Sequence, residues 1–317
     1  MWGNLHGWLI SAVLGGSILL FTAWLTEKNR MQSAHLFARD PANLAKLVLT
    51  MEPDEAWPIF TDAGDAGPLY RQAIEGWSDT AERTCAEFVK SPGDAPPLPL
   101  QPLVDARHLR GMDLFEAEPG SLVNYESDHA RLENLFAAAE WAYKCGLSLH
   151  LHGQNDRGLV LLEAAFAVGR QLYRERLVFD EYQKGSQLMA DAATSAVQTF
   201  PAESEDGRRL TAFVSGLQAY QRQHVYPIWQ VIGSVDAAVI GNSAGDILAM
   251  AEHSGERMWR VEATLKLGRL RFDAGTVGDQ LGARRALKRL SEDHDPLVAA
   301  AAKAATELTI ERYRMIH

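Results

Sequence analysis

Residues 130–177 read ARLENLFAAAEWAYKCGLSLHLHGQNDRGLVLLEAAFAVGRQLYRERL. Two runs rich in Ala and Leu, with aromatic residues at helical spacing, flank a short polar stretch. Gly153, Asn155 and Asp156 in that stretch provide the turn and the N-cap chemistry. The pattern predicts two antiparallel helices that form a hairpin.

Helical periodicity continues on the C-terminal side of this hairpin. A third helix is predicted from Phe179 to Phe200, where Pro201 ends it, and a new helix starts after the capping-type sequence at 203–207. Pro227 then divides the stretch that runs to Gly241 into two helices. Strand signals are scarce throughout, so the fold class predicted is all-α.

Residues 130–177 resemble a tetratricopeptide unit in their Ala-Gly-Leu pattern, without the full motif. The C-terminus resembles HEAT repeats: WRVEATLKLGRL from Trp259 and VAAAAKAATEL from Val298 are 39 residues apart, and a shorter amphipathic helix precedes each. Asp295-Pro296 resembles the opening of a repeat helix, as N-cap and N1. The second unit has Ala299 where the first has Arg260. The resemblance implies a short α-solenoid whose extended face binds a protein partner.

The N-terminal side of the hairpin is more broken. Helices are predicted at Ala42–Met51, Gly67–Trp77 and Asp79–Val89. The segment SPGDAPPLPLQP, residues 91–102, cannot hold a regular helix because proline lacks the amide donor. It is predicted to be a linker or surface loop, and a polyproline II ligand for an aromatic groove is the alternative.

The stretch Leu5–Leu25, LHGWLISAVLGGSILLFTAWL, has no charged side chain. As a helix it is long enough to cross a hydrocarbon layer of ~30 Å. Trp8 and Trp24 fall near its ends, where indole rings favour the headgroup region. A cleaved signal peptide is the alternative, but no Lys or Arg precedes the run and Ala23-Trp24-Leu25 is a poor cleavage site. The sequence therefore predicts a single transmembrane anchor in contact with membrane lipid.

The side of the membrane follows from the flanking basic residues. Lys28, Arg30 and Arg39 lie after the apolar run and no Lys or Arg lies before it. The positive-inside rule then predicts an N-terminus outside and a cytoplasmic domain, with a periplasmic domain as the alternative.

Composition bounds the rest of the chain. With 47% hydrophobic and 23% charged residues it has enough apolar material for a core, and a net charge of -10 disfavours nonspecific binding to nucleic acid or to an anionic leaflet. We divide the chain into an anchor at 1–30, an acidic helical segment at 31–102, a tetratricopeptide-like domain at 103–242 and HEAT-like repeats at 243–317. Two cysteines, Cys85 and Cys145, lack metal or redox spacing and are interpreted as buried thiols. A disulfide between them would need an oxidising compartment.

One motif favours an enzyme. GNSAG at 241–245 matches G-x-S-x-G, follows an apolar run and precedes a helical segment, so Ser243 is the candidate nucleophile of an α/β-hydrolase. That fold needs a later Asp on a strand and a His, whereas the remaining residues read as helices. The available histidines are at a helix, a turn and the last position, namely His253, His294 and His317.

Other candidate chemistry is weaker. His150 and His152 are two residues apart and fall on different faces of a helix, so a shared metal is not expected. Four carboxylates crowd one region without calcium-loop spacing, and we interpret them as a solvated surface or an acidic docking patch: Asp54, Glu55, Asp62 and Asp65. Four basic residues have i, i+4 pairs on one helix and could meet anionic headgroups: Arg284, Arg285, Lys288 and Arg289.

The sequence therefore predicts a non-catalytic, membrane-anchored helical scaffold or accessory subunit of a larger membrane complex. Energy transduction is one setting that would suit such a subunit, but no residue selects it over transport or envelope assembly. No catalytic residue, cofactor, metal or small-molecule substrate is predicted, and the partners are membrane lipid and other proteins of the complex. The alternative is a serine hydrolase that uses Ser243.

Overall fold

The computed structural model describes residues 52–111, 130–176, 178–201, 203–226, 229, 244–273, 276–311 and 314. Helices account for 78% of these residues, which confirms the all-α class. None of the described helices is both long enough and apolar enough to cross a membrane. The predicted anchor at Leu5–Leu25 and the helix at Ala42–Met51 lie outside the described residues.

The first described region contains short elements. They are α1 (Pro53–Ala56), β1 (Asp62–Asp65), α2 (Gly67–Gly76), α3 (Asp79–Lys90), a 3-10 turn (Leu98–Leu100), α4 (Gln101–Ala106) and β2 (Leu109–Gly111). The predictions for α2 and α3 are confirmed, and Ser78 caps α3 through the amide of Ala81.

A small parallel strand pair was not predicted. β1 and β2 pair Asp62 with Leu109 and Asp65 with Gly111. All four residues of β1 are exposed, so this strand has no apolar alternation by which a sequence could indicate it. The pair brings the segment before α2 next to the segment after α4.

The proline-rich segment packs against the body at its end. Leu100 is fully buried, and α4 begins directly after it and contacts both α2 and α6 (Asn155–Glu175). The position 102/103 that we chose as a domain boundary lies within α4. The division into domains stays a prediction.

The central hairpin is confirmed. It consists of α5 (Ala130–Leu151) and α6, and α7 (Phe179–Val197) packs on the other side of α6. Gly153 has a φ of 74°, which the turn needs and glycine adopts readily. The N-cap expectation was wrong, because Gln154 is at that position without a side-chain cap and Asn155 instead contacts His150 Nδ1 at 2.8 Å.

Glycines let these three helices approach closely. A Cβ on Gly146 of α5 would lie 2.9 Å from the carbonyl oxygen of Gly158 on α6. A Cβ on Gly169 of α6 would lie 2.7 Å from the carbonyl oxygen of Gly185 on α7. Each pair also clashes in the opposite direction, so the backbones themselves are in contact at both crossings.

The restart after Pro201 is also confirmed. Ser204 accepts a hydrogen bond from the amide of Gly207 and caps α8 (Glu205–Tyr220), and a π-helical turn (Gln221–Val225) follows. The predicted helix break at Pro227 lies outside the described residues.

The C-terminal layer, which we define as α9 to α12, contains two stacked hairpins. Its helices are α9 (Ala244–His253), α10 (Arg257–Asp273), α11 (Val277–Leu290) and α12 (Pro296–Glu307). Helix α10 lies at the centre and contacts the other three. Asp295 accepts a hydrogen bond from the amide of Leu297 at 3.0 Å, which confirms it as the N-cap before Pro296.

Candidate functional site

The motif that favoured a hydrolase is only partly described. Ser243 lies outside the described residues, and α9 starts at the next position. Within 244–273 and 276–311 the regular elements are helices. His253 ends α9 and is 3.9 Å from Glu252, and His294 is an almost fully exposed residue beside Asp293, while His317 is not described. Neither of these two described histidines is buried, since the side chain of His253 is 48% exposed and that of His294 is 88% exposed.

His150 and His152 each contact a residue that is close to them in the sequence. His150 Nδ1 contacts Asn155 Oδ1, and His152 Nδ1 lies 2.8 Å from the carbonyl oxygen of Ser148. Both contacts hold the turn between α5 and α6. Among the described residues, no group of three or more His, Cys, Asp or Glu side chains is arranged to hold a metal ion.

The crowded carboxylates have separate roles. Asp54 lies at the first turn of α1 and binds Arg170 of α6 through two hydrogen bonds of 2.7 and 2.8 Å. Asp65 accepts a hydrogen bond from the amide of Gly67 at 2.9 Å. Asp62 lies in the exposed strand β1. Of the four carboxylates, Asp54 is thus held by a buried arginine, whereas Glu55, Asp62 and Asp65 are exposed.

Arg170 is the most unusual charged residue of the structure, and sequence reasoning missed it. Its side chain has 0% exposure and its guanidinium stacks 4.2 Å from the ring of Phe60. Its Nη1 donates to the carbonyl oxygen of Arg110 at 2.7 Å. The only signal in the sequence is one arginine inside an apolar helical run, AFAVGRQLY.

This arginine changes the protonation of its partner. Burial raises the pKa of Asp54, but the hydrogen bond and charge of Arg170, together with Arg174 and Arg110, outweigh that effect. The pKa of Asp54 therefore lies below its ordinary value, and the pair is ionised at neutral pH. It ties α1 and β2 to α6, which is a structural role.

The two cysteines meet between α3 and α5. Both are free and fully buried, and Cys145 Sγ lies 3.8 Å from the carbonyl oxygen of Cys85. A hydrogen bond to Cys85, together with burial, raises the pKa of the Cys145 thiol. The interpretation as buried thiols is confirmed.

Buried tyrosines are not suited to acid-base chemistry near neutral pH. The hydroxyl groups of Tyr70 and Tyr173 are buried without a hydrogen-bond partner. Burial raises the pKa of Tyr173 to about 12 and that of Tyr70 further. Both phenols therefore stay protonated and contribute packing.

A polar and aromatic junction joins the central helices to the C-terminal layer. Arg176, which has a φ of 27°, binds Glu256 at 2.9 Å. The ring of Phe179 stacks 5.8 Å from that of Trp259, and the amide of Phe179 donates to Glu262 at 2.9 Å. The carboxylate of α10 thus satisfies an otherwise free amide at the start of α7.

The basic cluster lies on the outer face of α11. Arg289 differs from the other three basic residues because it forms an ion pair with Glu252 of α9 at 2.7 Å. Arg284, Arg285 and Lys288 are exposed, and within the described part of the chain none of the three forms an ion pair. Val277 and Leu281 are also exposed, by 71% and 45%.

These five exposed residues share one side of the helix. At 3.6 residues per turn they fall within an arc of ~100°. We call this surface the α11 face, and it consists of Val277, Leu281, Arg284, Arg285 and Lys288. The sequence did carry a signal for the apolar part of this face. Val277 and Leu281 are spaced i, i+4, so on a helix they lie on the same side as the predicted basic residues.

Two further surface features are present among the described residues. A shallow groove of about 310 Å³ lies between the end of α7 and the start of α8, and its lining includes Arg208, Thr211 and Ser215. Leu98 and Leu151 are exposed by 82% and 75%. Arg157, which binds the carbonyl oxygen of Gly93, joins the segment of Leu98 to the turn that follows Leu151.

No family model matches the sequence, and no curated protein and no solved structure matches it either. The tetratricopeptide-like and HEAT-like resemblances therefore remain predictions from the sequence.

Proposed function

We propose that this chain is a non-catalytic accessory or scaffold subunit of a larger membrane complex, tethered by Leu5–Leu25 and acting through protein contacts of its helical body. One observation carries the proposal. Several side chains that the sequence flagged for chemistry hold helices and turns together instead, as Asp54 does by binding Arg170 and His150 by contacting Asn155.

Exposed apolar side chains suggest where a partner binds. Leu151 ends α5 at the turn of the α5–α6 hairpin, and Leu98 lies five residues after Gly93, whose carbonyl oxygen accepts a hydrogen bond from Arg157 of α6. Large apolar side chains at a protein surface are typical of contact sites when they cluster. We assign this end of the molecule to a protein partner.

The experiment is extraction of the native membrane with a mild detergent, using a chain tagged at its C-terminus, followed by size separation and identification of the comigrating proteins. A stable set of membrane subunits is expected. The double variant Leu98→Asp/Leu151→Asp should lose them, whereas Ile310→Asp, a change at another exposed apolar residue, should retain them. A lone protein of 35.0 kDa in its micelle would contradict the proposal.

The alternative function is serine hydrolysis at Ser243. It rests on the sequence match G-x-S-x-G, and the helices that follow in 244–307 do not favour it. A fluorophosphonate probe should leave the folded protein unlabelled. Labelling that is lost in Ser243→Ala would support the hydrolase instead.

A further inference from the structure

We propose that the α11 face docks on an anionic lipid surface, so that the C-terminal layer lies against the membrane that holds the anchor. The inference rests on the proposed function, because it needs the tether at Leu5–Leu25. It adds a second membrane contact and names its chemistry: acidic phospholipid headgroups.

The first argument is charge. The chain as a whole carries -10, yet Arg284, Arg285 and Lys288 present three positive charges side by side without an ion pair among the described residues. Asp279, the acidic residue of α11, is engaged by Thr276 at the first turn and lies on the other side of the helix. A negatively charged surface therefore complements this face, and each basic residue near such a surface increases binding by about fivefold.

The second argument is the apolar pair. Val277 and Leu281 stand at the N-terminal end of the same face and are among the most exposed large apolar side chains described. Basic residues next to exposed aliphatic side chains are typical of helices that lie in a membrane interface. An acidic protein partner would also satisfy the charges, but a bilayer satisfies charge and apolar surface together without a shaped pocket.

The third argument is reach. Twenty-six residues separate Leu25 from Glu52, where the described residues begin. A chain of that length spans at most ~90 Å. The tether thus keeps the body close to the membrane surface, where a weak contact of a few basic residues is populated.

The test uses the full chain in lipid nanodiscs made of phosphatidylcholine, with or without phosphatidylglycerol, and measures hydrogen–deuterium exchange. We expect amides of α11 to exchange more slowly in the anionic discs, while buried α10 stays unchanged. The triple variant Arg284→Gln/Arg285→Gln/Lys288→Gln should weaken docking by about a hundredfold and abolish the slowing. High salt should have the same effect.

A matched control removes the same charge elsewhere. Arg208→Gln/Arg209→Gln/Lys303→Gln neutralises three exposed basic residues on α8 and α12 and should leave the slowing intact. Val277→Ser/Leu281→Ser should reduce it in part. Equal exchange of α11 in the two kinds of disc, or slowing that survives in the α11 triple variant, would overturn the proposal.

Other outcomes separate this proposal from the function it rests on. A chain that does not stay with the discs contradicts the tether and both proposals. A chain that stays but shows equal exchange contradicts the docking alone. Protection of α11 in the detergent-extracted native complex, after acidic lipid has been removed, would mean that a protein covers the face and would overturn the lipid assignment.

Discussion

The central helices α5 to α7 and the C-terminal layer are both built from alanine-rich helical hairpins, but they are held together differently. In the central helices, glycine pairs such as Gly169 and Gly185 bring the backbones into contact. In the C-terminal layer, arginines of α10 reach out to other segments: Arg260 binds Asp293, and Arg271 donates to the carbonyl oxygens of Thr306 and Leu308. Both regions bury apolar side chains, and to this the central helices add direct backbone contact whereas the C-terminal layer adds hydrogen bonds and ion pairs from arginines.

Individual arginines differ in how deeply they bury their charge, and within the C-terminal layer the side-chain exposure ranges from 10% at Arg260 to 58% at Arg289. Arg170, which ties the first described region to the central helices, has an exposure of 0%, whereas Arg257 and Arg289 of the C-terminal layer are exposed by 50% and 58%. Exposed ion pairs contribute little because water screens them, but a buried charge that loses its partner is costly. Loss of an ionic partner should therefore be far more harmful at Arg170 than at Arg257 or Arg289.

The largest effect is expected from removal of the Arg170 partner. Asp54→Ala leaves the guanidinium buried with only the carbonyl oxygen of Arg110 and the ring of Phe60, and should lower the free energy of unfolding by about 3–5 kcal/mol. Urea denaturation followed by circular dichroism measures this change.

The control lies in the C-terminal layer. Arg289→Gln removes an exposed partner of Glu252 and should cost no more than about 1 kcal/mol. Arg170→Met, which removes the buried charge together with its need for a partner, should be milder than Asp54→Ala. If Asp54→Ala and Arg289→Gln proved equal, the contrast in charge burial would not matter for stability.

The next effect tests packing by shape. In Gly169→Ala the new Cβ would lie 2.7 Å from the carbonyl oxygen of Gly185 and 2.9 Å from Leu188 Cβ, so α6 and α7 must move apart. We expect a loss of about 1–3 kcal/mol, seen as a lower denaturation midpoint.

Gly282 of α11 is the matched control in the C-terminal layer. Nothing lies within 4 Å of a Cβ built there, so Gly282→Ala should stabilise the protein by about 0.5–1 kcal/mol through its higher helix propensity. A neutral Gly169→Ala would contradict close backbone contact between α6 and α7, and a destabilising Gly282→Ala would contradict the open space found beside Gly282.

A pH dependence separates the charge of Asp54 from its size. Its pKa is lowered in the folded protein, so its contribution to stability is fully present above the unfolded-state pKa of ~3.9 and is lost as the pH falls through the lower folded-state value. The stability difference between the natural chain and Asp54→Asn should therefore be constant near neutral pH and shrink in acid. Urea denaturation over a pH series measures it, and a difference that grows in acid would contradict the ionised pair.

The sequence predicts the features that depend on local signals and misses those that depend on contacts between distant residues. Periodicity, proline and caps predicted the hairpin at 130–177, the helix end before Pro201 and the Asp295 cap, because those signals are local. The Arg170 ion pair joins residues 116 positions apart, and the β1–β2 pair joins exposed residues without alternation, so no local pattern carries them. The α11 face was half predicted, since its basic residues are adjacent in sequence but their exposure depends on which side of α11 faces α10 and α12.

The smallest effect concerns the cap of α12, which was among the features that the sequence predicted. Asp295 accepts a hydrogen bond from the amide of Leu297 at 3.0 Å and also forms an ion pair with Arg257 at 2.9 Å. It therefore combines a helix cap with an exposed ion pair. Asp295→Ala removes both and should cost about 1 kcal/mol, whereas Asp295→Asn keeps a capping oxygen and should cost only about a few tenths of that. Thermal unfolding of the two variants distinguishes these values. If Asn were as harmful as Ala, the bond to Arg257 rather than the cap would hold α12, and polar side chains would stabilise the C-terminal layer more strongly than their exposure suggests.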